Sequence, residues 1–75
     1  MRDVEIHSEP IELYKLLKFE GLASSGGEAK LVISNGLVRL NGAVETQKRK
    51  KILGGDIVEF AGEQIRIVVS DRAEP

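Results

Sequence analysis

Apolar residues alternate with polar ones at the start of the chain and then change period. In "DVEIH", Val4 and Ile6 stand between polar neighbours, the period of a half-buried strand over about residues 3–7, and the polar "SEP" ends it. Leu13, Leu16 and Leu17 then fall at i, i+3 and i+4, which is one stripe of a helix. Pro10 suits the first turn of that helix, where a missing N–H leaves nothing unsatisfied, and Gly21 stops it after about Phe19. A second helix is predicted from Ser25 to Gly36. Ser25 with Glu28 three residues on forms a capping box, and Ala29, Val32 and Ile33 make the apolar face behind it.

Beyond Gly36 the period returns to two. Asn41-Gly42, with Val38 and Leu40 before it and Val44 after it, signals a tight two-residue hairpin. "LGGD" is a loop, "DIVEF" and "IRIVV" are two more strands, and "AGEQ" is the turn between them. The tail "SDRAEP" is expected to fray, residues 71–75 above all. Strand, helix, helix and about four strands predict one α+β domain over residues 1–75, with two helices packed on a small, mainly antiparallel sheet.

Composition narrows what such a domain can be. With 75 residues there is room for one modest core and none for a cleft between domains. Fractions of 41% hydrophobic and 31% charged residues are those of an ordinary globular protein, and no apolar run nears the length that spans a bilayer. Without cysteine there is neither a disulfide framework nor a thiolate metal site. The opening "MRDVEIHSEP" carries acids where a secretory signal has an apolar stretch, so a cytoplasmic location is expected.

The net charge of -1 hides an uneven distribution. Residues 21–51 hold Lys30, Arg39, Lys48, Arg49, Lys50 and Lys51 against Glu28 and Glu45, a local charge of +4, whereas the remainder holds five basic and ten acidic residues. Gly26 and Gly27 fall in the first turn of the second helix, where each is a poorer helix former than alanine by up to about 1 kcal/mol. They could serve close packing of that end of the helix. Alternatively, their bare N–H groups could let a phosphate approach the positive helix terminus, with Lys30 one turn further on. A run such as "KRKK" at 48–51 is usually a solvated face. The Asn41-Gly42 hairpin is expected to return it towards the end of helix two and Arg39, making one patch suited to a polyanion.

The stretch "GLASSGGEAKLVISNGLVRLNGAVETQKRKKILGGDIVEF" resembles the RNA-binding domain of the ribosomal protein S-four type, the αL motif, and within it the small bacterial stand-alone YbcJ-like proteins. The likeness covers residues 11–60. It rests on Ser25, Ala29, Lys30, Gly36, Asn41, Gly42, Gly55 and Asp56, which match the family's helix-opening, Val-Asn-Gly and Gly-Asp positions. One departure is Gly26, where the family usually has arginine; glycine offers a backbone N–H in place of a two-pronged guanidinium. The resemblance implies non-catalytic binding of structured RNA, often ribosomal, with no cofactor, no small-molecule substrate and no membrane, by a domain expected to be monomeric. The resemblance implies contact through the helix-two face and the adjoining loop, and with the charge pattern the expected surface is Ser25, Gly26, Gly27, Lys30, Arg39 and Asn41 with Lys48, Arg49, Lys50 and Lys51.

Elementary chemistry agrees. A-form RNA buries its base edges, so a small domain meets mostly its backbone, and cations suffice for that. Tyr14, Phe19 and Phe60, the only aromatics, are expected in the core rather than on a base-stacking platform. His7 is the single histidine and has no partner set for a metal, Asp56 after a Gly-Gly pair reads as a turn former, and neither "GG" has Walker or dinucleotide spacing. The alternative is a protein-interaction module whose basic patch binds an acidic partner, or whose first strand accepts a partner strand at its edge.

Overall fold

A computed structural model of the chain describes residues 1–70; the tail expected to fray, 71–75, lies outside them. Along the chain run β1 (Arg2–Ile6), β2 (Ile11–Glu12), α1 (Leu13–Phe19), α2 (Gly26–Ser34), β3 (Val38–Leu40), β4 (Ala43–Val44), β5 (Lys51–Ile52), β6 (Ile57–Phe60) and β7 (Glu63–Val69). Five strands form one sheet in the order β1-β7-β6-β3-β4, antiparallel except for the parallel pair of β1 with β7, and β2 pairs with β5 in a separate two-stranded ladder. Both helices pack on one face of the main sheet. Leu13, Leu16 and Leu17 of α1 and Ala29 and Ile33 of α2 are fully buried against Val38, Val58, Ile65 and Ile67, as the apolar stripes require. The opposite face is polar: Asp3, directly across from Arg66 on β7, receives bonds from its Nε and Nη2 at 3.1 and 3.2 Å.

Several boundaries differ from expectation for identifiable reasons. Pro10 stands before β2, not inside the first turn of α1, because Ile11 and Glu12 are taken into the ladder with β5 before the helix starts at Leu13. Ser25 is the cap of α2 and not its first residue, while Asn35 caps its other end and Gly36 follows at φ +76°. Ser70, expected in the loose tail, is buried, and its N–H donates to Ile6 O at 2.8 Å, continuing the first-to-last strand pairing. Phe19 is the largest departure: it is 65% exposed at the end of α1, off the leucine stripe, and lines a groove of about 470 Å³ with Ile6, Pro10, Ile11 and Leu16.

The expected hairpin is there. Leu40 pairs with Ala43, and Asn41 and Gly42 between them have φ of +53° and +88°, the pair of positive values that a type I′ turn demands. A second two-residue turn replaces the predicted four-residue "AGEQ": Phe60 pairs with Glu63, and Ala61 and Gly62 hold φ of +56° and +80°. Glu63 and Gln64 are therefore already strand. Alanine carries no signal for this turn, because its Cβ disfavours the left-handed region that asparagine tolerates. Ala61→Asn should accordingly raise unfolding stability by about 0.5–1 kcal/mol, read as a higher urea midpoint with an unchanged slope. A lower midpoint would show that the turn gains something from alanine that its backbone angles do not reveal.

Candidate nucleic-acid interface

The start of α1 determines where the basic run goes. Glu12, its N-cap residue, makes no side-chain capping bond, so the first amides of the helix need other acceptors. The chain from 48 to 50 supplies them: Leu13 N–H donates to Lys50 O at 2.9 Å and Tyr14 N–H to Lys48 O at 3.0 Å. Immediately after, Lys51 and Ile52 pair with Glu12 and Ile11, and Ile52 is fully buried. A turn in which Lys50 N–H donates to Gln47 O at 3.2 Å leaves Lys48 and Arg49 exposed. "KRKK" is thus held by its own backbone, with Lys48, Arg49 and Lys51 exposed and Lys50 half-buried.

The cluster lies near the beginning of α2, not its end. Ser25 Oγ accepts the Glu28 N–H at 3.1 Å, the cap that the sequence predicts. The Glu28 carboxylate returns to Ser24, whose N–H and Oγ both donate to Glu28 Oε1 at 2.6 Å, one residue earlier than in a standard capping box. These two bonds, the hydroxyl first and then the amide, hold the Glu28 carboxyl below its ordinary pKa. Gly26 and Gly27 N–H have no acceptor among the described residues. A Cβ at Gly26 would sit 3.8 Å from Tyr14 Cε2 and one at Gly27 3.9 Å from Ser25 Oγ, both ordinary contacts. Close packing therefore does not require either glycine.

Tyr14, expected in the core, packs against it and also joins these pieces. Lys30 Nζ lies 4.7 Å from its ring centroid, Arg49 Cζ 5.7 Å and Lys15 Nζ 5.9 Å, all within cation–π range. Glu12 stands among them, 3.6 Å from Lys15 and 3.7 Å from Arg49, and its buried Oε1 accepts no hydrogen bond among the described residues. The available signal was Tyr14's position, one residue off the Leu13, Leu16, Leu17 stripe and beside Lys15.

Of the ten residues expected at the surface, eight lie on the two segments that meet at Tyr14: Ser25, Gly26, Gly27 and Lys30 on α2 and its cap, and Lys48, Arg49, Lys50 and Lys51 in the segment pinned to α1. Arg39 is not brought to them. It alternates with the buried Val38, so it faces away from the helices, between Glu59 and Val44. Asn41 is committed to the fold, donating from Nδ2 to Asp56 Oδ1 at 3.1 Å and accepting the Ile57 N–H at 2.9 Å. Asp56, in turn, accepts the Leu53 N–H at 2.9 Å, the turn-forming role expected of it.

Comparison with known proteins decides the family. The model of the S4 domain matches residues 4–68, from β1 to β7. The chain belongs to the S4-domain family. Among its relatives, YbcJ of Escherichia coli (strain K12) is 50% identical over 58 residues, 77% of this chain and 83% of that one, and the YbcJ of Shigella flexneri matches to the same extent. The solution structure of E. coli YbcJ, described as revealing an αL motif involved in RNA binding, superposes with a TM-score of 0.69 at 45% identity, covering 91% of this chain and 87% of that one. The two helices on a mainly antiparallel sheet are thus the αL arrangement, and the S4 domain here extends beyond residues 11–60 to include its first and last strands.

The Glu28 contacts make the start of this S4 domain's second helix sensitive to acid. A carboxyl whose folded pKa is depressed contributes stability above its unfolded value and loses it as pH falls through the folded one. The thermal midpoint of the wild type should therefore drop more between about pH 5 and about pH 3 than that of Glu28→Gln. Parallel midpoint curves for the two proteins would mean that the Ser24 bonds are not maintained in solution.

Proposed function

We propose that this S4 domain binds structured RNA, without chemistry of its own, through Ser25, Gly26, Gly27 and Lys30 at the start of α2 and Lys48, Arg49, Lys50 and Lys51 beside it. The observation that carries the reading is the pinning of 48–51 to the first turn of α1, which joins cations from distant sequence positions into one patch. Arg39 and Asn41 stand outside this surface. Free N–H groups at Gly26 and Gly27 add donors for phosphate oxygens, but Glu28 puts a carboxylate in the same turn, so the cations carry most of the attraction. Involvement of the αL motif of E. coli YbcJ in RNA binding supports the same reading. Ribosomal RNA in the cytoplasm is the first target we propose, with the domain acting as a monomer.

Structured RNA suits the patch better than a loose strand does. Phe60 packs on the core and Phe19 lines the groove beside β1, so the aromatics form no continuous stacking surface. A hairpin RNA should bind more tightly than duplex DNA or poly-uridine of equal length in anisotropy titrations at one salt concentration. Equal affinity for all three, or for none, contradicts the reading.

Neutralising the run tests the surface itself. Reversing its charge would set acids beside Glu12, which already pairs with Arg49 and lies across from Lys51, so glutamine is the better replacement. Lys48→Gln, Arg49→Gln, Lys50→Gln and Lys51→Gln together should leave the circular dichroism unchanged. They should weaken hairpin binding at least tenfold, and the slope of log affinity against log salt should fall by up to about 4. A folded variant that binds as the wild type does would remove this run from the interface. Binding of an acidic protein, and not of RNA, would favour the interaction-module alternative.

A further inference from the structure

Tyr14 occupies the centre of the basic patch, yet nothing above gives it a part in binding. We infer that Tyr14 and Lys15 belong to the RNA interface, the ring being a positioning residue that gathers Lys15, Lys30 and Arg49 into one subsite for consecutive phosphates of an RNA strand. The inference deepens the RNA-binding reading and rests on it.

The three cations come from three segments, α1, α2 and the run after β4, and converge within 6 Å of one ring centroid. Like charges do not gather unless something attracts each of them. Glu12 does so for Lys15 and Arg49, at 3.6 and 3.7 Å, but Lys30 has no carboxylate partner among the described residues. The negative face of the ring is what Lys30 meets, at the shortest of the three distances and half-buried. Three cations against one carboxylate leave two positive charges uncompensated, which matches two phosphodiesters.

Gly26 fits the same design. A side chain there would project towards Tyr14, since a Cβ already comes within 3.8 Å of Cε2 and 3.9 Å of Cδ2. A longer side chain there would therefore compete with Lys30 for the ring, whereas glycine leaves the ring to Lys30 one turn further on and to Arg49 from the loop.

Side-chain substitutions separate the possibilities, with the wild type titrated against the same labelled hairpin RNA. Tyr14→Phe keeps the ring face and should bind within about twofold of the wild type, whereas Tyr14→Leu should bind roughly fivefold to tenfold more weakly. Because the ring also packs against the core, each affinity is measured well below that variant's melting temperature. Lys15→Gln, at an exposed position off the core, should weaken binding and lower the salt slope by about 1. In the free protein the Lys30 ε-methylene protons should be shifted upfield by the ring, and should lose that shift in Tyr14→Leu. Wild-type binding with no loss in Tyr14→Leu, equal losses in Tyr14→Leu and Tyr14→Phe, or no effect of Lys15→Gln would overturn this assignment and leave RNA binding standing. No binding by the wild type would instead overturn the RNA reading, and this subsite with it.

Discussion

Two backbone hydrogen bonds, from Leu13 and Tyr14 N–H to the carbonyls of Lys50 and Lys48, fix the relation between the hydrophobic core and the charged surface. Each adds only about 1 kcal/mol net, but leaving a partly buried amide unpaired costs about 1–3 kcal/mol, so the loop is strongly held at the helix start. Leu13 is fully buried, which fixes the position of its amide, and Ile52 is fully buried just beyond the run. Core packing on both sides therefore sets the place of four cations, of which Lys48, Arg49 and Lys51 are exposed and Lys50 is half-buried.

The electrostatics of the patch rest on side chains more than on the helix terminus. α2 begins with two glycines whose N–H groups are open, but the same turn holds Ser24, Ser25 and Glu28 in a hydrogen-bonded cap that is negatively charged at neutral pH. A partial positive charge of about half a unit at a helix start is offset by a full carboxylate in its first turn. Full positive charges on Lys30, Arg49 and their neighbours are not offset in this way, apart from the single carboxylate of Glu12. The surface is best described as a set of cations arranged around Tyr14, with backbone donors at its edge.

Local signals in the sequence were reliable wherever the structure depends on neighbours. The leucine stripe of α1, the Ser25 cap and the Asn41-Gly42 turn are each set by interactions within a few residues, and each is found as expected. What escaped was non-local or lacked a residue preference. The β2–β5 ladder joins two residues at 11–12 to two at 51–52 through backbone atoms, which no side-chain pattern announces, and it displaced both the start of α1 and the destination of the basic run. Ala61 adopts a turn conformation that its side chain does not favour, and Phe19, although apolar, sits two positions past the end of the stripe. Of the eight candidate residues, seven are legible because they are charged or glycine, and Ser25 because it caps a helix. Nearness to the hairpin suggests Arg39 for the patch, but strand alternation with the buried Val38 turns it away from the helices. Tyr14 packs against the core as expected, and its place under three cations from separate segments is non-local, which no nearby pattern announces.

The most direct measurement is a map of backbone amide shifts in the labelled protein as hairpin RNA is added. The account predicts the largest changes at Tyr14, Gly26, Gly27, Lys30 and residues 48–51, with Arg39, Glu59, Gln64 and Arg66 on the opposite sheet face unmoved. Changes concentrated on that opposite face, with the start of α1 and α2 silent, would contradict it.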